Sequence, residues 1–134
     1  MNRFAKKRVF HAKAGARGKK RNNVYYRSAW EFNFSLACEE RKRLGDLEDW
    51  SYEKHEFEFK GIKRGTRFYK PDFWVKERSG REYFVEVKGF MDSKSVTALS
   101  RMAKYYPEVT VLILGKKEYA ELESEFGHLE GWER

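Results

Sequence analysis

Cysteine occurs once in the 134 residues, at Cys38, so no internal disulfide and no multi-cysteine zinc site can form. Histidine is almost as scarce. His11, His55 and His128 are widely spaced, and no His-Asn-His arrangement is visible. No apolar run approaches the roughly 18 residues that a membrane-spanning helix needs. The basic N-terminus lacks the apolar core of a secretion signal, so an intracellular, cytoplasmic protein is expected. Proline is confined to Pro71 and Pro107, and neither an internal repeat nor a low-complexity linker follows the N-terminal segment. Acidic residues are missing altogether from the first 30 positions.

That last absence locates the charge. Of 29 basic residues, ten fall in those 30 positions: Arg3, Lys6, Lys7, Arg8, Lys13, Arg17, Lys19, Lys20, Arg21 and Arg27. The remaining 19 face all 21 acids, so the net +8 is a property of the tail. Residues 1–22 show neither helical nor strand periodicity and are expected to form a mobile basic arm. Such an arm is the expected footprint of nucleic-acid binding through counterion release, with a solubilising or ribosome-associating role as the plainer alternative. Residues 23–134 are expected to form one domain, with aromatics at 17% supporting a packed core.

Within the domain a helix is expected from Ser28, with Trp30, Phe34, Ala37, Cys38 and Leu44 on one stripe and Gly45 as its stop. Cys38 on that stripe reads as a buried small hydrophobe. Glu53 to Lys60 alternates, with His55, Phe57 and Phe59 on one side and Glu56, Glu58 and Lys60 on the other, as in a half-buried strand. The aromatic runs 69–75 and 83–90 flank Arg78-Ser79-Gly80-Arg81 and predict a hairpin, completing a three-stranded meander. A helix capped by Asp92 or Ser93 then runs to Pro107. The continuous apolar run Val109–Leu114 predicts a strand buried on both faces, reached by a right-handed parallel crossover. A short helix over 116–126 closes the chain, and Leu129 and Trp132 are left open.

The chemistry concentrates on the hairpin. Alternation puts Phe84, Glu86 and Lys88 on one face and Tyr83, Val85 and Val87 on the other. Asp72 follows a proline that marks a strand start, edge or bulge, and hairpin pairing brings it near Glu86 and Lys88. Two carboxylates and a lysine converging there suit a divalent cation and the water it activates. The plainer possibility is a cross-strand ion pair on a solvated sheet face. Ser28-Ala29-Trp30-Glu31 fits a capping box, which alone accounts for Glu31.

Pro71-Asp72 and, thirteen residues on, Glu86-Val87-Lys88 resemble the PD-(D/E)XK nuclease superfamily. Tyr69-Lys70-Pro71-Asp72-Phe73 together with Val85 to Phe90 and Asp92-Ser93 is most similar to its phage-type endonuclease I branch, whose members cut branched DNA. The resemblance covers about residues 28–114. It implies an α/β fold with a mixed sheet, a restriction-endonuclease-like αβββαβ core and a closing C-terminal helix. It also implies Mg²⁺, with Mn²⁺ able to substitute, held by Asp72, Glu86, the Val87 carbonyl and Glu31, with Lys88 beside the reacting phosphate. Glu31 thus has two roles open to it, cap and ligand. DNA is the implied partner, branched as in a Holliday junction, with a homodimer cutting opposite strands. Lys94 and the arm are candidate phosphate contacts, and nothing resembles a base-reading module. A nonspecific or homing-type nuclease of the same fold, and a non-catalytic basic nucleic-acid-binding protein, are the competing expectations.

Overall fold

A computed structural model describes residues 19–21 and 23–134, with only the backbone of 19–21. The candidate phosphate contacts Arg3, Lys6, Lys7, Arg8, Lys13 and Arg17 lie outside the described residues. β1 (Lys19–Arg21) and β2 (Val24–Tyr26) pair antiparallel. The expected arm therefore overlaps a hairpin at its end. Strand-favouring Val24-Tyr25-Tyr26 supplies one side, and Asn23 takes the left-handed conformation at φ 64° that the turn requires. Tyr26 is buried against Phe32, Tyr52 and Phe73.

α1 (Ala29–Arg43) starts at Ser28, whose Oγ accepts from the Glu31 amide at 3.2 Å, and gives way to Gly45 at φ 86°. The expected single stripe is too narrow a description. All residues from Glu31 to Cys38 are buried, because the sheet, the β1–β2 hairpin and a C-terminal helix enclose this half of α1. Leu44, expected inward, is 62% exposed at the helix end. Cys38 is buried as expected, and burial pushes its thiol far up.

The chain continues through β3 (Leu47–Tyr52), β4 (Phe57–Glu58), β5 (Phe68–Tyr69), β6 (Phe73–Glu77), β7 (Glu82–Val87), α2 (Ser93–Tyr105), β8 (Val111–Leu114) and α3 (Lys116–Phe126). The main sheet has the order β3-β6-β7-β8, antiparallel except for the parallel β7–β8 pair. This is a mixed α/β fold. β7 lies between β6 and β8 as expected, with α2 as the crossover.

Two expectations fail in detail. The neighbour of β6 is β3, not the alternating segment 53–60, of which only Phe57–Glu58 pairs, with β5 in a separate ladder. Glu53 sits at φ 52°, and this left-handed residue turns the chain out of the sheet. Glu56, expected on the open side, is buried. β8 is not covered on both faces. It is an edge strand of the sheet, and Leu112 is 38% exposed.

Alternation along β7 divides the core in two. Tyr83, Val85 and Val87 join Phe34, Leu36, Phe73, Tyr119 and Phe126 on the α1–α3 side. Phe84 faces Phe57, Phe59, Ala98 and Met102 on the α2 side. His55 packs on Phe84 and Trp74, and burial lowers its pKa. The C-terminal segment docks on α1, with Trp132 buried and Asn33 bonded to the Glu133 backbone. No helix among the described residues is long and apolar enough to cross a membrane.

Candidate metal centre

The register of the sheet assembles an acidic site at one end of β6. Phe73 pairs with Val85 on one side and Tyr52 on the other, so Asp72 lies beside both Glu86 and Glu53. Asp72 is 4% exposed. Its Oδ2 accepts from the Val87 amide at 2.8 Å, and its carbonyl accepts from the Glu53 amide at 2.8 Å. Glu31 enters from the first turn of α1, buried, and Tyr52 Oη donates to its Oε1 at 2.5 Å. One carboxylate oxygen from each of Glu31, Glu53 and Asp72 lies within 4.8 Å of the others. Comparisons with protein-family models, with curated proteins and with solved structures find no match.

Of the residues singled out from sequence, Glu31 and Asp72 meet in this trio. Glu86 stands next to it, buried, accepting from Tyr69 Oη at 2.8 Å. Lys88 is half-buried one residue beyond β7, where its charge favours ionised Glu86 and its amide donates to the Leu114 carbonyl at 3.1 Å. The Val87 amide anchors Asp72. Lys94 is exposed on the first turn of α2. Lys19, Lys20 and Arg21 form β1. Arg27, grouped by sequence with the phosphate contacts, instead pairs with Glu53 and, at 3.3 Å, with Asp72 Oδ1.

Glu53 and Lys70 were missed. The Glu53 carboxylate completes the trio, and the deeply buried Lys70 holds its Nζ 3.9 Å from Glu53 Oε1. The available cue was the alternation of Trp50 and Tyr52 just before Glu53. A register irregularity between Leu47 and Asp49 breaks that alternation and hides β3 in the sequence.

Electrostatically the site is under tension. Burial, then the charges of Glu86 and Glu31, lift the Asp72 carboxyl well above its ordinary value, against the pull of the Val87 amide and Arg27. Burial likewise raises Glu31 and Glu86, opposed by hydrogen bonds from Tyr52 and Tyr69. Burial and Glu86 push the Tyr69 phenol well up. Burial opposes the charge on Arg27, but Glu31 and Glu53 outweigh it and hold the guanidinium above its usual value. Clustered buried carboxylates of this kind suit a hard divalent cation, and an all-oxygen donor set does not select among Mg²⁺, Mn²⁺ and Ca²⁺. The trio can therefore hold a metal ion whose identity the donors leave open.

Proposed function

We propose that this protein is a divalent-metal-dependent endonuclease that hydrolyses DNA phosphodiester bonds, structure-selective for branched DNA and acting as a homodimer. The observation that carries the proposal is the close trio of buried Glu31, half-buried Glu53 and buried Asp72, placed beside Glu86 and Lys88. Burying several carboxylates together is unfavourable, and a cation offsets the repulsion. With the separate β4–β5 ladder set aside, the order α1, β3, β6, β7, α2, β8 supports a restriction-endonuclease-like core.

Glu31, Glu53 and Asp72 would hold the metal, with Glu86 and the Val87 carbonyl at its margin; Mg²⁺ is the proposed cofactor and Mn²⁺ a substitute. When bound, the ion polarises a phosphate oxygen and acidifies a water. The chain's own residues do the rest. Val87 and Tyr69 fix Asp72 and Glu86 in place through their hydrogen bonds. Lys88 brings its ammonium to the charge that builds on the phosphate. The basic N-terminal residues and Lys94 would track the DNA backbone without reading bases.

The test is cleavage of a four-way junction and of a matched linear duplex by the purified chain in Mg²⁺. Preferential cutting of the junction is expected, abolished in Lys88→Ala with DNA binding retained. Equal cutting of both substrates would leave a nonspecific nuclease. No cutting in Mg²⁺ or Mn²⁺ would leave a basic binding protein.

A further inference from the structure

The acid trio already has a cation against it, and that cation belongs to the chain. Arg27 lies between the β1–β2 hairpin and the Ser28 cap, and its Nη2 reaches both Glu53 Oε2 and Asp72 Oδ1. Two of the three carboxylates that would hold a metal are therefore already paired with a guanidinium. Asp72 Oδ2 is taken by the Val87 amide, which leaves Oδ1, the atom facing Arg27, as the one a metal would seek.

The neighbouring cations differ in their freedom to leave. The Lys70 side chain is 2% exposed behind Glu53, whereas that of Arg27 is 21% exposed and borders solvent. A divalent ion carries twice the charge of the guanidinium and competes for the same oxygens. Once expelled, a guanidinium offers a planar fork of donors matched to two phosphate oxygens.

We propose that Arg27 is the site's resident cation, displaced when a divalent ion binds, and that the released guanidinium then grips a phosphate oxygen beside the bond to be cut. The second half rests on the nuclease function proposed above; the exchange itself does not.

The exchange is tested on the full chain without DNA, by Mn²⁺ binding followed through the electron-spin signal of the free ion. Arg27→Gln should bind Mn²⁺ about tenfold more tightly than the wild type, a typical size for coupling between competing ligands. Arg27→Lys should fall between. Equal or weaker binding by Arg27→Gln overturns the exchange, as does a wild type that binds neither Mn²⁺ nor Mg²⁺. Should Arg27→Gln not fold, the wild type still decides. Its Arg27 Nε–H resonance should shift saturably as Mg²⁺ is added, and an unmoved resonance at saturation overturns the exchange.

The grip on phosphate is tested in the Lys88→Ala background with Ca²⁺. Adding Arg27→Gln should weaken four-way-junction binding about tenfold, and unchanged binding overturns that half. Tighter Mn²⁺ binding by Arg27→Gln with no DNA cleavage by the wild type would sink the nuclease function and keep the exchange. Cleavage by the wild type with no change in Mn²⁺ affinity would do the reverse.

Discussion

Asp72 Oδ2 and the Val87 amide are joined at 2.8 Å, which fastens the carboxylate at the end of β6 to the strand that carries Glu86. That bond and Arg27 are what favour the charged form of Asp72. Burial and two neighbouring acids work against it. A side chain held in this way is positioned at the expense of comfort, a pattern found where residues are kept for chemistry rather than stability.

Asp72→Asn therefore separates stability from function. The amide oxygen can still accept from Val87, while one of the repelling charges is gone. In chelator, the melting temperature should rise by a few degrees, about the effect of 1 kcal/mol in a domain of this size. Mn²⁺ binding and DNA cleavage should fall by more than about 100-fold, since even supporting groups around a metal are worth 10–100-fold. A melting temperature below wild type would refute the repulsion account.

The pH dependence of the metal-free protein has a definite sign. Glu31, Asp72 and Glu86 have folded pKa values above their ordinary 4.5, 3.8 and 4.5. Across the window that opens at those values the folded state binds more protons than the unfolded state. Stability contributed by these groups is thus present below the window and lost as pH rises through it. Urea unfolding in chelator should show declining stability from about pH 4.5 upward, where unperturbed carboxylates have already titrated. Mg²⁺ should flatten the decline by favouring the ionised forms. Stability that rises through the same range without metal would contradict the reversed sign.

Much of the centre was legible because strand alternation is a short-range rule. The facing of Phe84 and Glu86 away from Val85 and Val87, and the hairpin that brings Asp72 to Glu86, follow from side-chain period and turn chemistry alone. Glu53 was not legible, for a physical reason. Its place beside Asp72 depends on β3, whose alternation is broken at Leu47–Asp49 and whose partner is 21 residues distant at the Tyr52–Phe73 pair. The enclosure of α1 was hidden similarly. Asn33 looks polar in sequence, yet it is fully buried and bonded to Tyr119 of α3 and to Glu133 near the C-terminus.

Asn33 makes that enclosure testable. Its Nδ2 donates to Tyr119 Oη at 2.7 Å and to the Glu133 carbonyl at 2.6 Å, and its Oδ1 accepts from the Glu133 amide at 2.8 Å. Asn33→Leu removes all three of those bonds, at about 1–3 kcal/mol for each polar group that is left buried and unsatisfied. A loss of about 2 kcal/mol or more is expected in urea unfolding, with the C-terminal segment losing hydrogen-exchange protection first. Unchanged protection at Glu133 would show that Asn33 does not hold it.

Deleting residues 1–18 removes Arg3, Lys6, Lys7, Arg8, Lys13 and Arg17 but leaves β1. For every duplex phosphate that those side chains neutralise, the deletion should reduce the slope of log affinity against log salt by about 0.9. A slope unchanged by the deletion would remove these residues from DNA binding.

Tyr52→Phe tests what opposes burial in setting the charge of Glu31. The phenol donates to Glu31 Oε1, while the ring packs 4.4 Å from Tyr26 and 5.0 Å from Phe73, centroid to centroid. Phenylalanine keeps the ring packing and removes the donor to Glu31, together with the weaker bond at 3.4 Å that the hydroxyl accepts from the Arg27 amide. Without that bond the Glu31 pKa should climb further, because the hydrogen bond is the largest influence opposing burial. A proton would then compete harder with the metal at Glu31. Mn²⁺ binding in the variant should be weaker at low pH and recover towards wild type as pH rises, moving the midpoint of the pH profile upward. A uniform loss at every pH would instead mean that Tyr52 acts by placing the carboxylate, not by setting its charge.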